Sequence, residues 1–93
     1  MKIKEITDYL ESIAPLHFQE DYDNSGLLVG NPNTSIKAAL ITLDCTEDVV
    51  EEAIALRCNL IITHHPIIFS GLKKLAGNNY VESTIIKAIK NDI

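Results

Sequence analysis

The chain has 93 residues, of which 46% are apolar and 23% charged, and a formal net charge of −5. That length holds one small domain with a real core, and the composition is that of a folded protein rather than a disordered one. The acidic balance and the scatter of the eight basic residues argue against nucleic acid as a partner, because phosphate binding needs clustered Lys and Arg.

Met1-Lys2-Ile3-Lys4-Glu5 carries charge where a secretion signal needs an apolar run. No stretch approaches the ~20 apolar residues of a membrane span. A cytoplasmic chain with no membrane association is expected. Ile3, Ile6, Leu10 and Ile13 recur at helical spacing, which predicts an amphipathic helix stopped at Pro15. His17, between Leu16 and Phe18, reads as a loop histidine rather than a ligand. The acidic loop Glu20 to Gly26 has two readings. Asp-Asn-Ser-Gly is good turn chemistry, which we favour, and the alternative brings the loop's acids to a metal-bound water or substrate. Gly26-Leu27-Leu28-Val29-Gly30 reads as a strand bounded by glycines, and Asn31-Pro32-Asn33 as a turn.

Residues 38–44, from Ala38 to Asp44, form a nearly continuous apolar run, as expected of a strand covered on both faces. Thr46-Glu47-Asp48 then offers a helix cap with two acids in the first turn. Val49, Val50, Ala53, Ile54 and Leu56 continue at helical spacing, and Leu60-Ile61-Ile62-Thr63 is a second buried strand. The segment between the strands suits a crossover helix and is far too long for a tight hairpin. Residues 38–63 therefore read as a right-handed βαβ unit with parallel strands. Pro66 to Gly71 is a short apolar turn. From Glu82, the residues Ile85, Ile86, Ala88 and Ile89 mark another amphipathic helix, with Lys87 and Lys90 outward. The expected fold class is α/β, a mostly parallel sheet with helices on both faces. Residues 1–93 are read as a single domain that is the N-terminal part of a larger α/β/α fold, since so small a parallel sheet looks unfinished.

In parallel α/β sheets, ligand groups gather at the carboxyl ends of the strands. Asp44 closes the first strand and His64-His65 follow the second, so parallel pairing brings all three to one edge. Neighbouring side chains on a regular strand face opposite ways. Pro66 confines His65 to extended or PPII geometry and ends the ladder, so the rings can diverge modestly and serve two ions about 3.5–4 Å apart. Asp44 would then fix an imidazole tautomer. A catalytic zinc takes at least three protein ligands, and the local candidates to join the histidines are Asp44, Asp23 and Glu20. The plainer reading of a His-His step is a surface or capping role. Cys45 and Cys58 are too far apart for a CxxC motif and read as reduced thiols packed as small hydrophobes. Lys73-Lys74 reads as a solvated pair, with contact to an anionic substrate as the other reading. Dinucleotide and Walker-type motifs are absent.

Three stretches together resemble one family. They are Glu20-Asp21-Tyr22-Asp23-Asn24-Ser25-Gly26-Leu27-Leu28-Val29-Gly30, Ile41-Thr42-Leu43-Asp44-Cys45-Thr46, and Leu60-Ile61-Ile62-Thr63-His64-His65-Pro66-Ile67-Ile68-Phe69. In order and spacing the chain is similar to the NGG-one-interacting-factor-three-like family, whose bacterial members are labelled GTP cyclohydrolase I type 2 homologs. The resemblance covers nearly the whole chain. It implies an α/β metalloprotein with a dinuclear centre of divalent ions (zinc, iron or manganese) and a toroidal homohexamer of the full-length protein. It carries His64 and His65 over as metal ligands and puts Asp44 near the centre, as a candidate catalytic, orienting group. The family's further aspartate, histidine and glutamate have no counterpart in these residues, so the chain alone is expected to hold half a site. Two functions follow as expectations. One is a metal-dependent hydrolase acting on a small molecule such as a nucleotide or related heterocycle. The other is a non-enzymatic metal-carrying regulatory or interaction module, motivated by the lack of a convincing acid–base pair.

Overall fold

Two short strands and the helix that joins them carry the architecture. In the computed structural model, residues 1–13, 25–68 and 71–93 are described. The elements are α1 (Ile3–Ile13), β1 (Ala39–Thr42), α2 (Glu47–Ala55), β2 (Leu60–Thr63) and α3 (Tyr80–Lys90). Strands β1 and β2 pair in parallel, with Ala39 opposite Leu60 and Thr42 opposite Thr63. The βαβ unit read from the apolar pattern is therefore present, and the fold is α/β.

Helix α2 begins where its cap residue dictates. Thr46 is extended, at φ −129° and ψ 172°, and its hydroxyl accepts the Val49 N–H at 3.3 Å. Glu47 and Asp48 add negative charge beside the free N–H groups of the first turn. The helix ends in a Schellman motif. The Cys58 N–H bonds to the Ala53 carbonyl at 2.8 Å and the Arg57 N–H to the Ile54 carbonyl at 3.1 Å. That closure requires Arg57 to take a left-handed φ of 59°, a position usually left to glycine.

The core lies between α2, α3 and the strands. Val50 and Ala53 of α2 are fully buried, and Thr84, Ile85 and Ala88 of α3 are buried with them. Helix α3 packs on α2, which in turn packs on both strands. The sequence pattern starts the last helix at Glu82, whereas α3 starts at Tyr80. The reason is Asn79, whose side-chain oxygen accepts the Glu82 N–H at 2.9 Å and caps the helix so that it opens at Tyr80. Glu82 is 7% exposed, and its carboxylate accepts the N–H of Ala76 at 3.0 Å and the Asn79 side-chain amide at 2.9 Å. Lys87, expected to point outward, is half-buried and pairs with Glu51 of α2.

Two expectations are corrected. Residues 26–30 are not a strand. Gly26 and Gly30 take φ of 108° and 114°, outside strand geometry, and no neighbour pairs with the segment in the described ladder. The N-terminus bonds instead to the segment just beyond, with Ile3 N–H to Thr34 C=O at 2.9 Å and Ile36 N–H to Met1 C=O at 2.6 Å. Strand β1 is also not covered on both faces among the described residues. Leu40 and Thr42 are half-buried, but Ile41 is 78% exposed, because no described layer lies over its side. The turn at 31–33 forms as read, with Thr34 N–H on Asn31 C=O at 3.1 Å. No helix among the described residues is long and apolar enough to cross a membrane.

Candidate metal centre

Parallel strands end at the same edge, and register then decides which side chains meet there. The pairing of Leu40 with Ile61 and Thr42 with Thr63 keeps a constant offset. Two residues further on, that offset sets Asp44 against His65, on the same face by the alternation of strand side chains. The contact is made: His65 Nδ1 and Asp44 Oδ1 lie 2.7 Å apart. A carboxylate only accepts, so the ring donates from Nδ1, and in the neutral imidazole Nε2 then keeps a lone pair. Both side chains are about half exposed, at 50% and 59%. At that exposure the pair adds little stability, and its consequence is orientation of the ring.

The same alternation would send His64 to the opposite face. It does not, because the ladder ends irregularly. His64 N–H bonds to Thr42 C=O at 3.2 Å and His65 N–H to Leu43 C=O at 3.0 Å. Successive N–H groups of a regular strand point to opposite sides, so two consecutive bonds to one neighbour mean the backbone has turned. The turn brings the two rings together, with centroids 4.9 Å apart and planes tilted by 58°. Two exposed imidazoles thus stand side by side at one rim, with a carboxylate holding one of them.

The donor set fits part of a metal site. Imidazole nitrogen is a general ligand for divalent transition ions, and a carboxylate on the far ring nitrogen is the usual support for it. Among the described residues, however, no group of three His, Cys, Asp or Glu side chains is set to hold one ion. Asp44 is engaged with His65. Glu20, Asp23 and His17 lie outside the described residues. Cys45 is half-buried and burial pushes its thiol up, away from the thiolate that ligates metals, while Cys58 is buried. Lys73 and Lys74 are exposed. Reading the sequence missed the hydroxyls of Thr42 and Thr63, which bond to the carbonyls of Asp44 and His65. The available signal was a threonine two residues before each site residue.

Comparison with known proteins places this geometry in context. The profile of the family described as Duf34/NIF3 (NGG1p interacting factor 3) matches residues 1–93. A GTP cyclohydrolase 1 type 2 homolog of Clostridium acetobutylicum is 44% identical over 93 residues, all of this chain and 35% of the relative. A protein of the same name from Staphylococcus epidermidis is 48% identical over the whole chain, which covers 25% of it. The crystal structure of Staphylococcus aureus protein SA1388 superposes with a TM-score of 0.93 at 42% identity, over all of this chain and 30% of that one. The chain thus spans a quarter to about a third of the length of these curated relatives.

Proposed function

The chain belongs to the Duf34/NIF3 family, and from that premise we propose that His64 and His65 contribute two ligands to a divalent-metal centre of a hydrolase. The observation that carries the proposal is the hydrogen bond from His65 Nδ1 to Asp44 Oδ1. It leaves Nε2 of an exposed ring with a free lone pair and fixes that ring against rotation. When bound, a divalent ion supplies Lewis acidity to a substrate carbonyl or phosphoryl oxygen. Zinc, iron and manganese are the candidate ions, two of them in the whole protein.

The role of each residue follows from its bonds. Asp44 accepts from Nδ1 of His65 and sets the direction in which Nε2 faces, acting as a positioning group rather than a base. His64 stands beside it as the second imidazole, 4.9 Å away between ring centroids. A catalytic centre needs more protein ligands than these two. Since the chain covers 25% to 35% of its curated relatives, the remaining ligands and the activity belong to the whole protein. The names of those relatives point to a purine nucleotide such as GTP as the first substrate to test. A cytoplasmic homohexamer is part of the same proposal.

The second reading is a metal-carrying module without turnover. The engagement of Asp44 with His65 favours it, because the one acid brought to the rim among the described residues is used to orient a ring. One experiment separates the two. The intact protein is assayed on GTP and simple phosphoesters, with and without chelator, beside His64→Ala plus His65→Ala. Chelator-sensitive turnover lost in the double variant supports the hydrolase. Metal binding lost in the variant without turnover on any substrate supports the module. Unchanged metal content in the double variant refutes both.

A further inference from the structure

Two threonines make the same bond at the ends of the two strands. Thr42 and Thr63 are register partners across β1 and β2. Thr42 Oγ1–H donates to the Asp44 carbonyl at 3.1 Å, and Thr63 Oγ1–H donates to the His65 carbonyl at 2.7 Å. The residues held in this way are the two that bond to each other through their side chains, His65 Nδ1 to Asp44 Oδ1 at 2.7 Å. Ladder, hydroxyl, carboxylate–imidazole bond and second hydroxyl close into a frame.

The physical need for such a frame is plain. Beyond Thr42 and Thr63 the regular ladder stops, and the two backbone bonds of His64 and His65 to Thr42 and Leu43 tie the exits together without fixing the dihedrals around Asp44. A side-chain hydroxyl bonded to a carbonyl two residues on closes a small ring and restricts the dihedrals inside it. Threonine is stiff at χ1, so the closure is stiff too. The commonplace account of these residues is that threonine is a good strand former. Under that account valine, equally β-branched and of similar shape, would serve as well.

We propose that Thr42 and Thr63 are positioning residues, paired hydroxyl struts that set both strand exits so that Asp44 meets His65 and the ring proton stays on Nδ1. The frame stands on the geometry of the chain alone. Its consequence for metal affinity rests on the proposed metal centre.

The test reads the ring directly. In the chelator-treated intact protein, labelled with 15N-histidine, the nitrogen shifts of His65 report which ring nitrogen carries the proton. The expected wild-type result is a single Nδ1–H tautomer with a low-field Nδ1–H resonance. Thr63→Val and Thr42→Val should each mix the tautomers and lose that resonance, while Thr63→Ser and Thr42→Ser, which keep the hydroxyl, should retain it. Backbone amide spectra confirm that each variant is folded. Folded valine variants with the wild-type ring spectrum overturn the proposal. Should the valine variants not fold, hydroxyl-proton exchange in the unmodified protein decides: slowly exchanging Thr42 and Thr63 hydroxyls support the struts, and hydroxyls exchanging at the rate of free threonine overturn them. A second arm titrates zinc alone by calorimetry, where Thr63→Val should bind roughly 10-fold more weakly and Thr63→Ser near wild type. Zinc affinity unchanged by Thr63→Val removes the consequence. A wild type that binds no zinc refutes the metal reading, and the ring spectrum still judges the struts.

Discussion

His65 and Asp44, 21 residues apart in the chain, are joined by a 2.7 Å hydrogen bond between ring Nδ1 and carboxylate Oδ1. The bond crosses from the exit of β2 to the exit of β1, so it depends on the parallel register that pairs Thr63 with Thr42. Under the proposed metal centre, the task of Asp44 is to decide where the imidazole proton sits.

Asp44→Asn tests that task. The amide can still accept from Nδ1 but lacks the charge that holds the proton there. We expect zinc affinity of the intact protein to fall by roughly 10-fold or more, with the thermal midpoint close to wild type. Calorimetric titration and a melting curve measure both. Equal affinity would remove Asp44 from the site.

Arg57→Gly should stabilise the fold. Arg57 holds a left-handed φ of 59° to close the Schellman motif after α2, where a side chain is strained and glycine is not. The gain is partly offset by the greater freedom of glycine in the unfolded chain, which leaves a net of about 0.5–1 kcal/mol. The urea midpoint should rise with an unchanged slope.

Glu82→Ala should destabilise strongly. The buried carboxylate accepts the backbone N–H of Ala76 and the side-chain amide of Asn79, and its own N–H completes the cap with Asn79. Truncation removes the buried carboxylate to which both donors bond and costs about 1.5–3 kcal/mol. Glu82→Gln keeps an acceptor and should lose about half as much. Chemical denaturation of both variants checks the ranking.

Lys87 sets an alkaline limit. Its hydrogen bond to the Glu51 carboxylate, with the charges of Glu51, Glu47 and Asp48 in support, raises its pKa above the ordinary lysine value, against a smaller desolvation effect. A raised folded pKa means that the stabilisation is fully present below the unfolded lysine value of about 10.4 and is lost as pH rises through the folded one. The pair is solvent-screened, so the effect is small and weakens with salt. Urea midpoints of wild type and Lys87→Met should differ at neutral pH and converge in strong alkali.

Much of this molecule was legible before any fold was built. Helix α1 follows from Ile3, Ile6, Leu10 and Ile13, and α2 from Thr46 with the apolar stripe behind it. These signals are local, since a helix satisfies its hydrogen bonds within four residues of itself. The meeting of Asp44, His64 and His65 at one edge was legible too, because a parallel crossover brings both strand ends to one rim whatever the details.

Packing alone settled the rest. A strand needs a partner, and nothing within Gly26 to Gly30 says that the N-terminus will bond to residues 32–36 and that no strand among the described residues will pair with that run. Register across β1 and β2 depends on α2 and the core beneath it, and register is what set Asp44 on His65 rather than on His64. The side-by-side imidazoles arise from two consecutive backbone bonds to β1, a departure from the pleat that no spacing rule contains. Interactions within one turn are written in neighbouring residues, whereas those across 21 residues exist only once the chain has chosen its neighbours.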